Sequence, residues 1–456
     1  MDHKQIINQR QFSWLVSSVV TSGGILTLQN VLIRISETDA WVSYLLSILY
    51  IFIVAGFFAY LSSLYPQMHI FEISMLLLGR WGGTLVNLLI VFHIWLIVLG
   101  DLASVARFTG TLLLHNTPLE ILIMLPCLLL IYFGRTSVEV IARVNDIFYP
   151  LFVVTVLLMP LLLSNEFSLQ LISPVLTTSY QHVSSSNFLA IGGTGDVFFL
   201  GAFLHTICNT NQIRSSIRHG GLLGIFLMTL ILFLILIVLG PKMPGNFLYP
   251  TYNLVQMIHV TDFLDRLDLI MLTIWLPTFA CKMVALYLAL LIGISSIIRE
   301  HDYPTINKPV ALFLALTTIL SFKSTTELNT FANFSTPVIV IFYQPMVIAV
   351  MIAAAMMRHR KHPPAVPQSS DVASMRASPS QKAAKMSVRF SYKQWVWIGN
   401  ILMLFSAVCI GIGLAMGKYM PVIGTACGIC FGCCLFLTAM TTYMEVSLLK
   451  QSQAGK

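Results

Sequence analysis

Charged side chains are scarce in this 456-residue chain: Asp, Glu, Lys and Arg together make up 10% of it, against about 25% in an ordinary globular protein. Hydrophobic residues make up 57%, and the mean hydropathy is +0.84. This composition excludes a water-soluble fold, and apolar segments long enough to cross about 30 Å of hydrocarbon recur along the chain. We predict an all-α polytopic membrane protein of about twelve transmembrane helices, because a helix satisfies its own backbone hydrogen bonds in lipid.

Motifs for hydrolysis or for ATP-driven chemistry are also missing. The sequence has no phosphate-binding P-loop, no HExxH zinc motif and no GxSxG nucleophile elbow. We therefore predict that the protein is not an enzyme and uses no cofactor. A cysteine cluster in the last apolar segment lacks neighbouring His or Asp, so helix packing is favoured there over a metal site. Its members are Cys427, Cys430, Cys433 and Cys434.

The net charge of +8 is distributed as a membrane topology signal. If the N-terminus is cytoplasmic, most Lys and Arg residues of the loops and tails fall on the cytoplasmic side, which predicts that both termini are cytoplasmic. Such a distribution favours contact with anionic membrane lipids over nucleic acid binding. The predicted outer loops carry only Arg34, Arg107, Lys242, Arg266, Lys323 and Lys418.

Composition divides the chain into three parts. Residues 1–357 form a predicted ten-helix, permease-like core. Residues 358–393 are basic and rich in Pro and Ser, and they have too little apolar surface to fold, so we predict a cytoplasmic linker. Residues 394–456 hold two further apolar segments, which predict a C-terminal transmembrane hairpin outside the core.

Two predicted spans of the core contain small polar and glycine residues where a continuous helix is expected. They are span 1 (residues 12–33) and span 6 (residues 187–208), at matching positions of two five-helix halves. Helices broken in this way expose backbone groups that hold a ligand in inverted-repeat transporters, although small residues also serve close helix packing. We predict ligand-binding residues at Thr21, Ser22, Gly23, Gly24, Gly193, Thr194, Gly195 and Asp196.

A lysine lies in the middle of predicted span 8, which covers residues 267–297. Lys282 is too far from either interface to extend its ammonium group into water, and insertion of lysine at this depth costs about 2.5–3.5 kcal/mol. A buried carboxylate, a ligand carboxylate or the role of a built-in cation would compensate that cost, and a purely structural ion pair is the alternative. Asp196 is the first candidate partner, and Asp101 is a second candidate charge partner.

Several short motifs resemble, in their order, those of a known family: the B subunits of spore germination receptors, a branch of the amino acid, polyamine and organocation transporter superfamily. They cover about residues 5–357, and the runs near 249–268 are the most specific. The motifs are Gln11, DAW at 39–41, YP at 65–66, LGRWGG at 78–83, TP at 117–118, YFGR at 132–135, ARV at 142–144, YPTYNL at 249–254, Ile258 and DFLDRLD at 262–268.

The resemblance implies a leucine-transporter-like 5+5 inverted repeat of ten helices, to which the predicted two-helix extension is added. It further implies a small-molecule germinant, such as an amino acid, bound at the broken helices. The implied partners are an A-type membrane subunit and a C-type lipoprotein subunit in the spore inner membrane. The alternative from another class is a proton- or sodium-coupled permease for an amino acid or organic cation, which would share this fold.

Overall fold

The computed structural model describes residues 6–207, 209–258, 267–299, 303–361 and 391–454, and every regular element among them is helical. Most of the predicted linker at 358–393, and most of the DFLDRLD motif, lie outside the described residues. The α-helices are α1 (Gln9–Gly24), α2 (Leu28–Ser36), α3 (Leu45–Leu64), α4 (Ile70–Leu112), α5 (Leu119–Phe133), α6 (Val138–Leu162), α7 (Tyr180–Thr194), α8 (Thr210–Leu239), α9 (Pro250–Gln256), α10 (Leu267–Ile298), α11 (Tyr303–Ser321), α12 (Thr325–Thr330), α13 (Thr336–Lys361), α14 (Tyr392–Met416) and α15 (Pro421–Ala454).

Shorter helical segments of other types connect or extend these helices. The 3-10 segments are Glu37–Val42, Ser164–Glu166, Leu169–Leu171, Gly195–Thr206 and Pro244–Asn246, and Phe331–Ser335 is a π-helical turn between α12 and α13.

The helices account for the predicted spans of a multi-pass membrane protein. Among the described residues, nine helices are long and apolar enough to cross a membrane, and α1 with α2 forms a tenth span bent by 66°. α5 and α11 correspond to two further predicted spans, at residues 119–133 and 309–322. α4 begins before its predicted span and bends at Gly79, whose φ of 72° is a conformation that glycine adopts without strain.

Small residues set the contact between α1 and α8 at the centre of the core. A Cβ atom added at Gly220 would lie 2.1 Å from the carbonyl oxygen of Ser13, so the two backbones nearly touch. Hydroxyl groups fill the rest of the interface: Ser13 Oγ donates to the Ser216 carbonyl at 2.9 Å, and Ser216 Oγ donates to the Gln9 carbonyl at 3.1 Å. Close approach with inter-helix hydrogen bonds is the usual basis of helix packing in lipid.

The C-terminal hairpin of α14 and α15 packs against the core through α8. Arg218 of α8 and Glu445 of α15 form a buried ion pair, 3.3 Å from Nη2 to Oε1. Arg218 Nη2 also donates to Asn400 Oδ1 of α14 at 3.1 Å. Both helices of the hairpin are therefore tied to the same guanidinium group of the core.

We expect Gly220→Ala to lower the free energy of unfolding by about 1–3 kcal/mol, since the added methyl group meets backbone rather than a movable side chain. The measurement is the thermal unfolding of the purified full-length protein in detergent, followed by tryptophan fluorescence. Gly56→Ala in α3 is the matched control, because nothing lies within 4 Å of a Cβ atom added there. Equal midpoints for the two variants would contradict this account of the α1–α8 contact.

Candidate functional site

Span 1 is interrupted close to its predicted position. α1 ends at Gly24, α2 begins at Leu28, and the two helices meet at 66°. Side-chain hydroxyls compete for the backbone just before the break: Thr21 Oγ1 donates to the Ser17 carbonyl at 3.0 Å. The first N–H groups of α2 have no partner within their own helix, so the break presents the positive end of a helix inside the membrane.

Span 6 differs from the sequence prediction of an interruption. α7 ends at Thr194, but the chain continues without a gap as a 3-10 helix from Gly195 to Thr206. At this change of helix type, the Gly195 carbonyl accepts hydrogen bonds from Gln344 Nε2 at 3.1 Å and from the Tyr50 hydroxyl at 3.4 Å. A change of helix type replaces the predicted gap here, because a 3-10 helix keeps its peptide groups paired where no water is available.

Lys282 lies fully buried in α10 between two carboxylates. Its Nζ atom is 2.8 Å from Asp196 Oδ2 in the 3-10 helix and 3.0 Å from Asp101 Oδ2 in α4. We call these three residues the Lys282 triad. The triad joins three separate elements through one ammonium group, and with both carboxylates ionised it carries a net charge of −1.

The broken helix passes directly beside this triad. A Cβ atom added at Gly23 would lie 2.8 Å from Lys282 Nζ and 3.2 Å from Asp196 Oδ2. At Gly193, the nearest atom to an added Cβ would be the Gly24 backbone nitrogen at 3.7 Å. Gly23, in the TSGG segment at residues 21–24, therefore leaves space for the ammonium group. This lets α1 and the triad come into contact.

A cavity of about 70 Å³ opens next to the triad. Of the residues predicted as the site, Ser22, Gly23, Gly193 and Asp196 line this cavity together with Asp101 and Lys282. The Asp101 side chain is the most exposed member of the triad, at 14%, against 6% for Asp196 and 0% for Lys282. Asp101 is therefore the carboxylate most available to a small molecule in the cavity.

Four of the predicted residues lie beside the cavity without lining it. Thr21 bonds its own helix, and a Cβ atom added at Gly24 would meet Met228 Cε at 2.9 Å. Thr194 Oγ1 donates to Ser47 Oγ at 3.1 Å. A Cβ atom added at Gly195 would lie 2.6 Å from a methyl group of Val340. Gly24, Thr194 and Gly195 thus lie at contacts between helices around the cavity, which is the packing alternative stated for them above.

Apart from Asp101 and Lys282, sequence reasoning missed the parts of the cavity wall contributed by α4, by α10 and by residues 331–336. Phe279 precedes Lys282 by one helical turn, so the same-face spacing would have found it. The first four residues of the turn Phe331–Ser335 precede predicted span 10 (residues 335–357), and no simple apolar pattern marks them. The lining residues not predicted are Leu26, Thr27, Leu28, Leu96, Ile97, Gly100, Ser104, Gly192, Phe279, Phe331, Ala332, Asn333 and Thr336.

Comparison with solved structures identifies the class of protein. The chain is similar to Mhp1, a nucleobase-cation-symport-1 family transporter solved in a closed conformation with bromovinylhydantoin bound. The TM-score is 0.53 at 14% sequence identity, over 96% of this chain and 93% of that one. The likeness shows the fold alone: this is a multi-pass integral membrane protein with a leucine-transporter-like arrangement of helices, as the sequence predicted.

The family follows from the sequence comparison. The Spore germination protein family matches residues 6–330, and the chain belongs to it. Spore germination protein B2 of Bacillus subtilis (strain 168) is 24% identical over 275 residues, which cover 59% of this chain and 74% of that protein. Spore germination protein YndE of the same organism is 22% identical over 302 residues, which cover 64% and 82% respectively. The family resemblance stated from the motifs is confirmed.

We expect Lys282→Met to lower the free energy of unfolding by about 3–5 kcal/mol, because it leaves two buried carboxylates close together with no counter-charge. The double variant Lys282→Met/Asp196→Asn should recover part of this loss, since it removes one of the two charges. Thermal unfolding in detergent measures both variants, with Lys323→Met at an exposed position as the control. If Lys282→Met and the wild type unfolded at the same temperature, the triad would not stabilise the fold.

Proposed function

We propose that this protein is the germinant-sensing subunit of a spore germination receptor, which binds a small amino acid in the cavity beside the Lys282 triad. The observation that carries this proposal is a buried group of two carboxyl side chains around one ammonium group, which lines a cavity at a broken helix. Membership of the spore germination family supports the biological setting.

The two ends of an amino acid match opposite features of the cavity. The ligand ammonium group pairs with Asp101, which is the most exposed member of the triad. The ligand carboxylate lies at the first turn of α2, where Thr27 and Leu28 line the cavity and the free N–H groups favour an anion. A bound zwitterion therefore places its ammonium group at Asp101 and its carboxylate at the exposed start of α2.

The size of the cavity limits the ligand. One water molecule needs about 10–15 Å³ of cavity volume. The cavity of about 70 Å³ therefore has room for roughly five to seven water-sized groups. L-Alanine, which has about six non-hydrogen atoms, fits this limit. We therefore take L-alanine as the probe of the site.

The 3-10 helix that contains Asp196 could transmit a conformational change away from the cavity. This helix ends at Thr206, whose carbonyl accepts hydrogen bonds from the backbone N–H groups of Ile6 at 3.1 Å and Ile7 at 3.4 Å. Rearrangement of the triad on binding would displace this helix and the N-terminal segment together. Signalling of this kind requires the ligand to prefer one of two helix arrangements.

The remaining parts of the proposal concern the surroundings of the subunit. An A-type membrane subunit and a C-type lipoprotein subunit receive the conformational change in the spore inner membrane, and both termini of this chain are cytoplasmic. The family motifs and the bias of basic residues toward one side support these assignments.

The alternative is a proton- or sodium-coupled permease for an amino acid or organic cation, which the transporter fold favours. The triad argues for a receptor that needs no sodium ion, because Lys282 already supplies a fixed cation between the two carboxylates.

We expect Asp101→Asn to weaken L-alanine binding about 10- to 150-fold, since the variant replaces a charge-assisted hydrogen bond with a neutral one. Its stability should stay within about 1 kcal/mol of the wild type, because Lys282 remains paired with Asp196. Isothermal titration of the protein in nanodiscs measures the affinity. Asp146→Asn, which removes only a salt bridge to the partly exposed Arg10, is the control and should bind normally. Unchanged affinity in Asp101→Asn would contradict the assigned ammonium site.

Uptake separates the receptor from the permease. We expect vesicles that contain the purified chain to bind radiolabelled L-alanine to saturation without accumulating it against a proton or sodium gradient. Vesicles with the Asp101→Asn variant give the background for binding. Sustained, gradient-driven accumulation by this chain alone would overturn the receptor assignment in favour of the permease.

A further inference from the structure

Among the described residues that line the cavity, only Asn333 has a side-chain amide, and this amide is buried. The residue is 3% exposed, and its Nδ2 atom has no hydrogen-bond partner among the described residues. Its Oδ1 atom accepts a hydrogen bond from Thr27 Oγ1 at 3.5 Å. A buried amide donor without an acceptor is unfavourable, so native proteins usually supply a partner for it.

The backbone at Asn333 has an unusual form that turns this side chain inward. Phe331–Ser335 is a π-helical turn, in which the Thr336 N–H group donates to the Phe331 carbonyl. Such turns insert one extra residue into a helix and occur frequently at functional sites. One residue corresponds to about 100° of rotation around an α-helix, so a regular helix would point Asn333 in a different direction.

The location of Asn333 defines the part of a ligand that it would contact. Thr27, its hydrogen-bond partner, is the residue directly before α2, so Asn333 lies beside the positive end of that helix. The Lys282 triad comes instead from α4, α10 and the 3-10 helix. Asn333 is therefore placed to meet the acceptor end of a ligand whose ammonium group pairs with the triad.

We propose that Asn333 determines ligand specificity by donating a hydrogen bond from Nδ2 to a carboxylate oxygen of a small amino acid. This inference rests on the proposed function and deepens it, because it states which chemical feature distinguishes the ligand from a plain amine. An amino alcohol of the same size offers no carboxylate to this donor and to the start of α2. The site discriminates against it for that reason.

The test compares L-alanine with L-alaninol, which keeps the ammonium group and loses the carboxylate. We expect Asn333→Asp to lower the affinity for L-alanine at least about 50-fold, because it removes the donor and sets a carboxylate against a carboxylate. L-Alaninol affinity should change less than about threefold, so the preference between the two probes falls or reverses. Isothermal titration of the full chain in nanodiscs measures both affinities.

Two further variants keep the test decisive. Asn145→Asp changes a buried asparagine of α6 that does not line the cavity, and it should keep the wild-type preference. Asn333→Ser removes the amide without adding charge and should lower the L-alanine affinity about tenfold with L-alaninol unaffected. If Asn333→Asp does not fold, as judged by thermal unfolding, Asn333→Ser decides by the same ratio.

The outcomes separate this inference from the proposed function. A folded Asn333 variant that keeps the wild-type preference between L-alanine and L-alaninol overturns the role of Asn333, while L-alanine binding to the wild type would still support the amino acid site. Wild-type protein that binds neither probe overturns the proposed ligand itself, and the role of Asn333 falls with it.

Discussion

The fold depends on the neutralisation of one lysine in the middle of a membrane. Lys282 cannot reach water, so its charge must meet opposite charge inside the protein, and two carboxylates from different elements lie within 3.0 Å of its ammonium group. That requirement fixes α4, α10 and the 3-10 helix relative to one another. It also requires the small residues of the TSGG segment, because a side chain at Gly23 would collide with the ammonium group. The same charge thus limits the size of the residue that α1 can carry at position 23.

The sequence predicted the residues whose charges are unfavourable in lipid. It did not predict features that depend on local helix geometry. Lys282, Asp196 and Asp101 were found because charges are rare and unfavourable in apolar helices. The gap expected in span 6 is absent, since the peptide groups there remain paired as a 3-10 helix from Gly195 onward. Asn333 was missed because its inward orientation comes from a π-helical turn, and no residue pattern in the segment encodes that extra residue.

The C-terminal hairpin extends the same principle of buried charge pairing beyond the family region. The family match ends at residue 330, whereas the hairpin begins at Tyr392. Arg218 of α8 is 1% exposed and Glu445 of α15 is 0% exposed, so neither charge is solvated without the other. Because the loss of either partner would leave an isolated buried charge, the hairpin is fixed to the core electrostatically. It also contacts the core at a second place, where the Trp41 and Phe431 ring centroids lie 5.6 Å apart.

The charge balance of the triad also bears on how binding could act on the rest of the molecule. Two carboxylates share one ammonium group, so a second cation from a ligand would reduce the demand on Lys282 and change its preferred position between Asp101 and Asp196. Asp196 lies in the 3-10 helix whose last carbonyl accepts hydrogen bonds from the N-terminal segment, while Asp101 lies in α4. A ligand ammonium group at Asp101 would therefore strengthen the pairing of Lys282 with Asp196. Charge redistribution of this kind needs no large cavity and no transported ion, which suits a subunit that senses its ligand rather than moving it.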